Sequence, residues 1–164
     1  MIKHLISYVF IISIAVSCKN PCDTITCFNG GTCDDGTCLC LDWYEGDYCE
    51  TEQRTKFFGN YSGSLTVTYS PTVQDVQSGS ISFTQSPQGI EYLNSSYPSN
   101  STFKLTTNSY SDIELIPIST SVGQTDITTT GQGVFKGDSV IISFTIFNNS
   151  LNAVYATATF KGVK

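Results

Sequence analysis

Histidine is nearly missing from this chain. The one copy, His4, lies at the very start, just before the first apolar run. Chemistry that runs through imidazole is therefore excluded downstream: no His-based nucleophile triad can be assembled, and no His-supported zinc site. Cysteine stops at Cys49, so everything after it folds without disulfides or thiol chemistry. Basic residues are few, with eight Lys and Arg against fourteen Asp and Glu. A nucleic-acid partner is excluded on that ground, because phosphate binding needs a concentration of positive charge. Neither a P-loop nor a dinucleotide-binding glycine pattern is present. The longest apolar run, "LISYVFIISIAV" at residues 5–16, is twelve residues long. A membrane-spanning helix needs about 20.

What is present begins with an export signal. Residues 1–17 read as a signal peptide: Lys3 and His4 give a positive start, the apolar run follows, and the small residues Ala15 and Ser17 precede Cys18. Two processing routes are open. "AVS" satisfies ordinary secretory cleavage. "AVSC" also resembles a bacterial lipobox, in which cleavage exposes a cysteine that then carries lipid, although Ala15 stands where Leu is usual. The cysteine count favours lipid. The chain has seven cysteines; with Cys18 acylated, the remaining six can all pair. Several acyl chains on Cys18 would hold the protein to a membrane, where one alone binds marginally. Residues 18–21 are then a tether, and a cell-envelope location follows, at the outer membrane, with plain secretion as the alternative.

Charge is uneven. Residues 19–53 hold one Lys and eight acids, a net of −7, whereas residues 54–164 hold six of each sign. The acidic half is also the cysteine-rich half. Six cysteines fall within residues 22–49, spaced C-x4-C-x5-C-x4-C-x-C-x8-C. So short a segment cannot bury an adequate core and needs covalent staples. Export to an oxidising space makes disulfides the expected use rather than zinc. Six cysteines allow fifteen pairings, and spacing alone does not choose among them. Cys38 and Cys40 face the same side of an extended strand and take different partners.

"CFNGGTC" (27–33) and "CLCLDWYEGDYC" (38–49) carry a family resemblance. The segment 22–50 resembles an EGF-like domain, with Gly46 at the family's glycine position and Tyr44 at its aromatic one. The resemblance implies the pairs Cys22–Cys33, Cys27–Cys38 and Cys40–Cys49. Trp43 departs from the Gly or Pro of many members. The acidic pattern that accompanies calcium in some members is missing from "CKNPC", so no metal is expected. Trp43, Tyr44 and Tyr48 are a candidate contact patch, or else they cover the last disulfide.

Past a polar linker at 51–56 the pattern changes. Ser and Thr fill 33 of the 108 residues from Phe57 to Lys164, and apolar residues recur at every second position. "DSVIISFTIF" puts Val140, Ile142, Phe144 and Ile146 on one face; "AVYATATFKG" puts Val154, Ala156, Ala158 and Phe160 together. That alternation predicts half-buried antiparallel strands. Eight are expected, at 60–70, 78–85, 88–94, 102–107, 110–117, 125–135, 138–148 and 151–162. Short connections make sequence neighbours sheet neighbours. The predicted fold is all-β: a stapled module, then a meander barrel over residues 57–164, with a two-sheet sandwich as the alternative. "FFGNYSG" (57–63) and "GQGVFKGDSV" (131–140) give this half a resemblance to small lipocalin-like barrels. The whole order resembles envelope lipoproteins of Bacteroidetes-type bacteria, which implies an address and no activity.

Glu91, Asp112 and Glu114 are the carboxylates to weigh for catalysis of glycosidase type. Alternation with Ile113 and Leu115 points Asp112 and Glu114 to solvent, so no enzyme and no cofactor is expected. Asn60, Asn94, Asn100 and Asn148 each open an N-x-S/T sequon, as chance supplies in so Ser- and Thr-rich a chain. The expected function is a non-enzymatic envelope lipoprotein, its module a stalk and its β domain a contact surface for protein or glycan. The alternatives are a carrier of a small apolar ligand, which the small residues Ala153, Ala156 and Ala158 would suit, and a eukaryotic secreted EGF-containing protein.

Overall fold

The computed structural model describes residues 20–70, 72–106 and 109–164. The expected signal peptide at 1–17 and Cys18, the expected lipid site, lie outside the described residues. Among those described, no helix is long and apolar enough to cross a membrane.

The chain starts in a 3-10 turn at Pro21–Thr24, whose first residues are capped by the Asn20 side chain accepting from the Cys22 N–H. β1 (Thr32–Asp34) and β2 (Thr37–Leu39) form a hairpin. Asp35 and Gly36 between them both have positive φ, 44° and 84°. An Asp-Gly pair is what such a two-residue turn selects, because Gly accepts that backbone freely and Asp tolerates it. Disulfides join Cys22 to Cys33, Cys27 to Cys38 and Cys40 to Cys49. They are the pairs the EGF-like resemblance implies. Cys38 and Cys49 are the buried hydrophobic residues of this segment, so its interior is mostly sulfur.

Residues 51–56, expected as a linker, are instead structured. β4 (Thr51–Glu52) pairs with β3 (Tyr44–Glu45), and a 3-10 turn follows at Gln53–Phe57. Arg54, in the middle, is only 3% exposed. Its Nη1 donates to the carbonyls of Ser86 (3.2 Å), Gly89 (2.5 Å) and Tyr92 (3.0 Å), and its Nε to Glu52 at 2.8 Å. One guanidinium nitrogen thus shares its two hydrogens among three carbonyls of the turn, of which Gly89 also accepts from the Tyr92 N–H.

Eight strands then close into a barrel: β5 (Gly59–Ser70), β6 (Val73–Gln85), β7 (Tyr92–Ser95), β8 (Ser101–Leu105), β9 (Asp112–Val122), β10 (Thr125–Lys136), β11 (Ser139–Asn148) and β12 (Ala153–Val163). Each pairs antiparallel with its sequence neighbours, and β12 returns to β5, so the meander barrel holds and the sandwich does not. Alternation does what it predicted in the lower half. Tyr61, Ile81, Phe83, Leu93, Phe103, Leu105, Ile113, Leu115, Phe135, Val140, Ile142, Phe144, Ala158 and Phe160 all turn inward into one cluster. Large residues pair with small: Phe144 lies opposite Ala158 on β12 and opposite Gly131 on β10. Gly133 is needed for closeness, since a Cβ there would stand 2.6 Å from the Ile141 carbonyl oxygen.

Two strands start later than expected. β7 starts at Tyr92, not residue 88, because residues 86–92 form the turn that Arg54 holds. β9 starts at Asp112 rather than 110, since Tyr110 has φ 51° and its N–H bonds back to the Thr106 carbonyl. Two are longer than expected, β9 again among them. β6 begins at Val73 and β9 runs on to Val122, past Pro117. The β9–β10 register shifts between Thr129 and Gly131, so Pro117 stands at an irregularity where no ladder donor is required.

Candidate contact surface at the barrel mouth

The two ends of the barrel differ. The lower end carries the β6–β7, β8–β9 and β10–β11 turns and both chain ends of the barrel, and it is closed. Phe57 stacks on Phe135 at 4.3 Å. Trp43 meets Tyr110 edge-on at 5.1 Å, and the Tyr110 hydroxyl donates to Asp42 at 3.3 Å. Lys56 and Glu45 form an ion pair at 2.5 Å. The stapled module is therefore fixed to this end by several independent contacts.

The upper end carries the β5–β6, β7–β8, β9–β10 and β11–β12 connections. It is crossed by the loop between β7 and β8, which contains a cis Tyr97–Pro98 peptide. Ser95 and Ser101 donate from Oγ to the Tyr97 carbonyl (2.7 and 3.2 Å), and the Tyr97 N–H donates back to the Ser95 hydroxyl. The loop is thereby folded over the mouth, and the Tyr97 ring rests edge-on against Phe144 at 5.6 Å. Burial first, and the nearby Tyr69 phenol second, raise the Tyr97 pKa above the ordinary tyrosine value. Tyr69 in turn meets Tyr155 edge-on at 6.1 Å, and both are about half exposed. Beside Tyr97 a cleft of about 160 Å³ is lined by Leu65, Gln77, Ser78, Gly79, Ile81 and Phe160, among others. It has an apolar floor and a hydroxyl- and amide-bearing wall, the mixture that gives a small site both affinity and orientation.

The residues singled out from sequence are dispersed. Tyr48 is 49% exposed. Tyr44 is half-buried in β3, and Trp43 is half-buried against Tyr110 and the barrel core. Glu114 faces solvent on β9, paired in register with Lys104, and Asp112 is half-buried. Among the described residues no group of three or more His, Cys, Asp or Glu is placed to hold a metal. Tyr69, Tyr97 and Tyr155 were not foreseen as a set. Tyr69 reads in sequence as one more member of a core alternation, and Tyr97 lies in a stretch that reads only as a turn.

Tyr61 is the fully buried phenol of the lower barrel, donating to the Phe57 carbonyl at 3.2 Å. Burial, and then the Asp138 charge, raise its pKa above 10.0. A raised folded-state value means the folded chain holds this proton more tightly than the unfolded chain. Stability is then whole below pH 10 and is lost as the pH rises beyond it. In an alkaline titration, unfolding should accompany the last tyrosinate absorbance to appear; full ionisation with the fold intact would contradict this.

No family model matches the chain, and no curated protein matches it. A solved structure does: a protein of Bacteroides fragilis NCTC 9343 named as a candidate outer membrane protein, with TM-score 0.51 and 20% identity over 68% of this chain and 52% of that one. This chain spans about half the length of that protein, and the likeness is one of fold.

Proposed function

We propose that the chain is a non-enzymatic lipoprotein of the cell envelope, held at the outer membrane through Cys18. Residues 22–50 serve as an EGF-like stalk, and the barrel mouth is the surface that meets a protein or glycan. The observation that carries this reading is polarity. The stapled module is bound to the lower end through Arg54, Trp43 and Lys56, and the mouth is at the other end. Three residues separate Cys18 from Cys22. A lipid there brings the module to the membrane and leaves the mouth turned away from it. The three disulfides support the stalk, since they brace a segment with little apolar interior. The fold likeness to a protein named for the outer membrane supports the address.

A carrier of a small apolar ligand has less support. Phe83 packs against Phe103 and Phe135, and Phe103 against Phe144, so aromatic rings fill the axis that a carrier would leave open.

Mass spectrometry of the mature N-terminus tests the anchor. The expected product begins at Cys18 and carries acyl chains, and Cys18→Ser should release the protein from membranes. A mature chain with an unmodified Cys18 would overturn the reading. Protease treatment of intact cells then reads exposure of the barrel.

A further inference from the structure

The barrel is complete only in its lower half. β7 pairs with β6 at Phe83, Thr84 and Gln85, and β8 pairs with β9 at Phe103–Leu105 against Ile113–Leu115. Above those rungs β6 continues from Ile81 up to Val73 with β5 on one side and no strand, among the described residues, on the other. β9 likewise continues from Ile116 to Val122 beyond its last rung with β8. Two strand positions separate these edges in the barrel order.

The two edges are not equivalent. On β9, Pro117 and the register shift break the row of donors. On β6 nothing does. Residues 73–80 contain no proline and no lysine, and all are exposed. The direction of their backbone groups follows from the last bonded residue. Ser82 donates its N–H to the Ser96 hydroxyl and accepts from the Ser96 N–H, both away from β5. With a period of two, Ser80, Ser78, Val76 and Gln74 also turn their N–H and C=O groups to the open edge. Inward from this row lies the cleft beside Tyr97, walled by Gln77, Ser78, Gly79 and Ser80 of the same strand and floored by Leu65 and Phe160. A backbone edge able to bond a strand and an adjacent pocket sized for one side chain are the two components of strand-addition recognition.

The geometry points to an extended segment of a partner polypeptide that adds to the β6 edge at Gln74–Ser80 and places one apolar side chain in the cleft beside Tyr97. The partner segment carries a basic residue to face Asp75, the one charge on this stretch, whose Oδ2 also accepts from the Gln77 side-chain amide at 2.6 Å. The inference rests on reading the barrel as a contact domain and gives that domain its partner class.

The test is selection of random nonapeptides from a display library against the full mature chain in detergent, with Ser78→Pro as the parallel target. Proline at 78 removes an edge donor and leaves the β5 ladder, so the fold should survive, as checked by circular dichroism. Selected peptides should alternate apolar and polar residues and protect the Val76, Ser78 and Ser80 amides from exchange. They should bind Ser78→Pro about tenfold more weakly, the size of one lost backbone hydrogen bond. Gly79→Phe, which grows into open space at the cleft, should weaken them independently. Peptides that bind wild type and Ser78→Pro equally, or no enrichment at all, would overturn the proposal. So would a wild-type dimer by light scattering that Ser78→Pro makes monomeric, which would assign the edge to a second copy. A glycan-array signal lost in Tyr97→Ala, with no peptide enriched, would reject the strand and keep the contact domain.

Discussion

Arg54→Met should lower the melting temperature of the oxidised protein by roughly 10 °C, a loss of about 3 kcal/mol. The reason is the number of groups left behind. The three carbonyls of Ser86, Gly89 and Tyr92 and the Glu52 carboxylate all lose a donor at once. Hydrogen bonds to a charged group contribute about 1.5–3 kcal/mol each when measured singly, and an acceptor stranded away from water costs a comparable amount. They do not add fully, because Glu52 is partly exposed and can turn to solvent. Methionine keeps the stem volume, so the change isolates the guanidinium. Arg54→Lys should fall between, since one ammonium cannot reproduce the fork. Thermal unfolding by circular dichroism, disulfides intact, reads the effect. A shift below roughly 3 °C for methionine would show that the β6–β7 turn does not depend on Arg54.

Phe135→Ala should cost about 4 kcal/mol in denaturant unfolding. Phe135 is the meeting point of the lower core: it stacks on Phe57, tilts against Tyr61 at 5.6 Å and meets Phe83 edge-on at 5.1 Å. Truncation leaves a hole walled by rigid rings that collapse poorly, which puts the cost toward the upper part of the usual range for large-to-small changes. Phe135→Leu keeps much of the volume and should cost about 1 kcal/mol. If alanine were as mild as leucine, the rings would have to be repacking freely, and the barrel floor would not be the fixed plug that couples the module to the strands.

The strands of the lower barrel were legible because burial there is one-sided. Each of β8, β11 and the lower part of β12 has a wet face and a packed face, and the sequence alternates accordingly. Residues 73–77 of β6 fall outside the expected strand 78–85 for the opposite reason. "VQDVQSGS" has solvent on both faces, so no selection for alternation acts on it, and its strand character comes from the ladder with β5 alone. Val154 was expected inward with Ala156 and is exposed, because the β11–β12 register shifts between Ile146 and Phe147 and reverses the faces beyond it. A bulge leaves no mark in hydrophobic period. Arg54 was hidden for a related reason: in "TEQRTK" it reads as one more solvated charge.

The sequence by itself determined the chemistry that can be present and the class of fold. Cysteine crowding calls for staples, the dearth of histidine removes imidazole chemistry, and period-two alternation sets antiparallel strands. These are local properties, readable within a few residues. Tertiary structure decided where the barrel stops being a barrel. The brevity of β7 and β8, the loop that lays Tyr97 over the mouth, and the burial of Arg54 under a turn 32 residues away all depend on which strands meet. That is a matter of long-range register, and a strand edge becomes free or paired only when its neighbour's length is known.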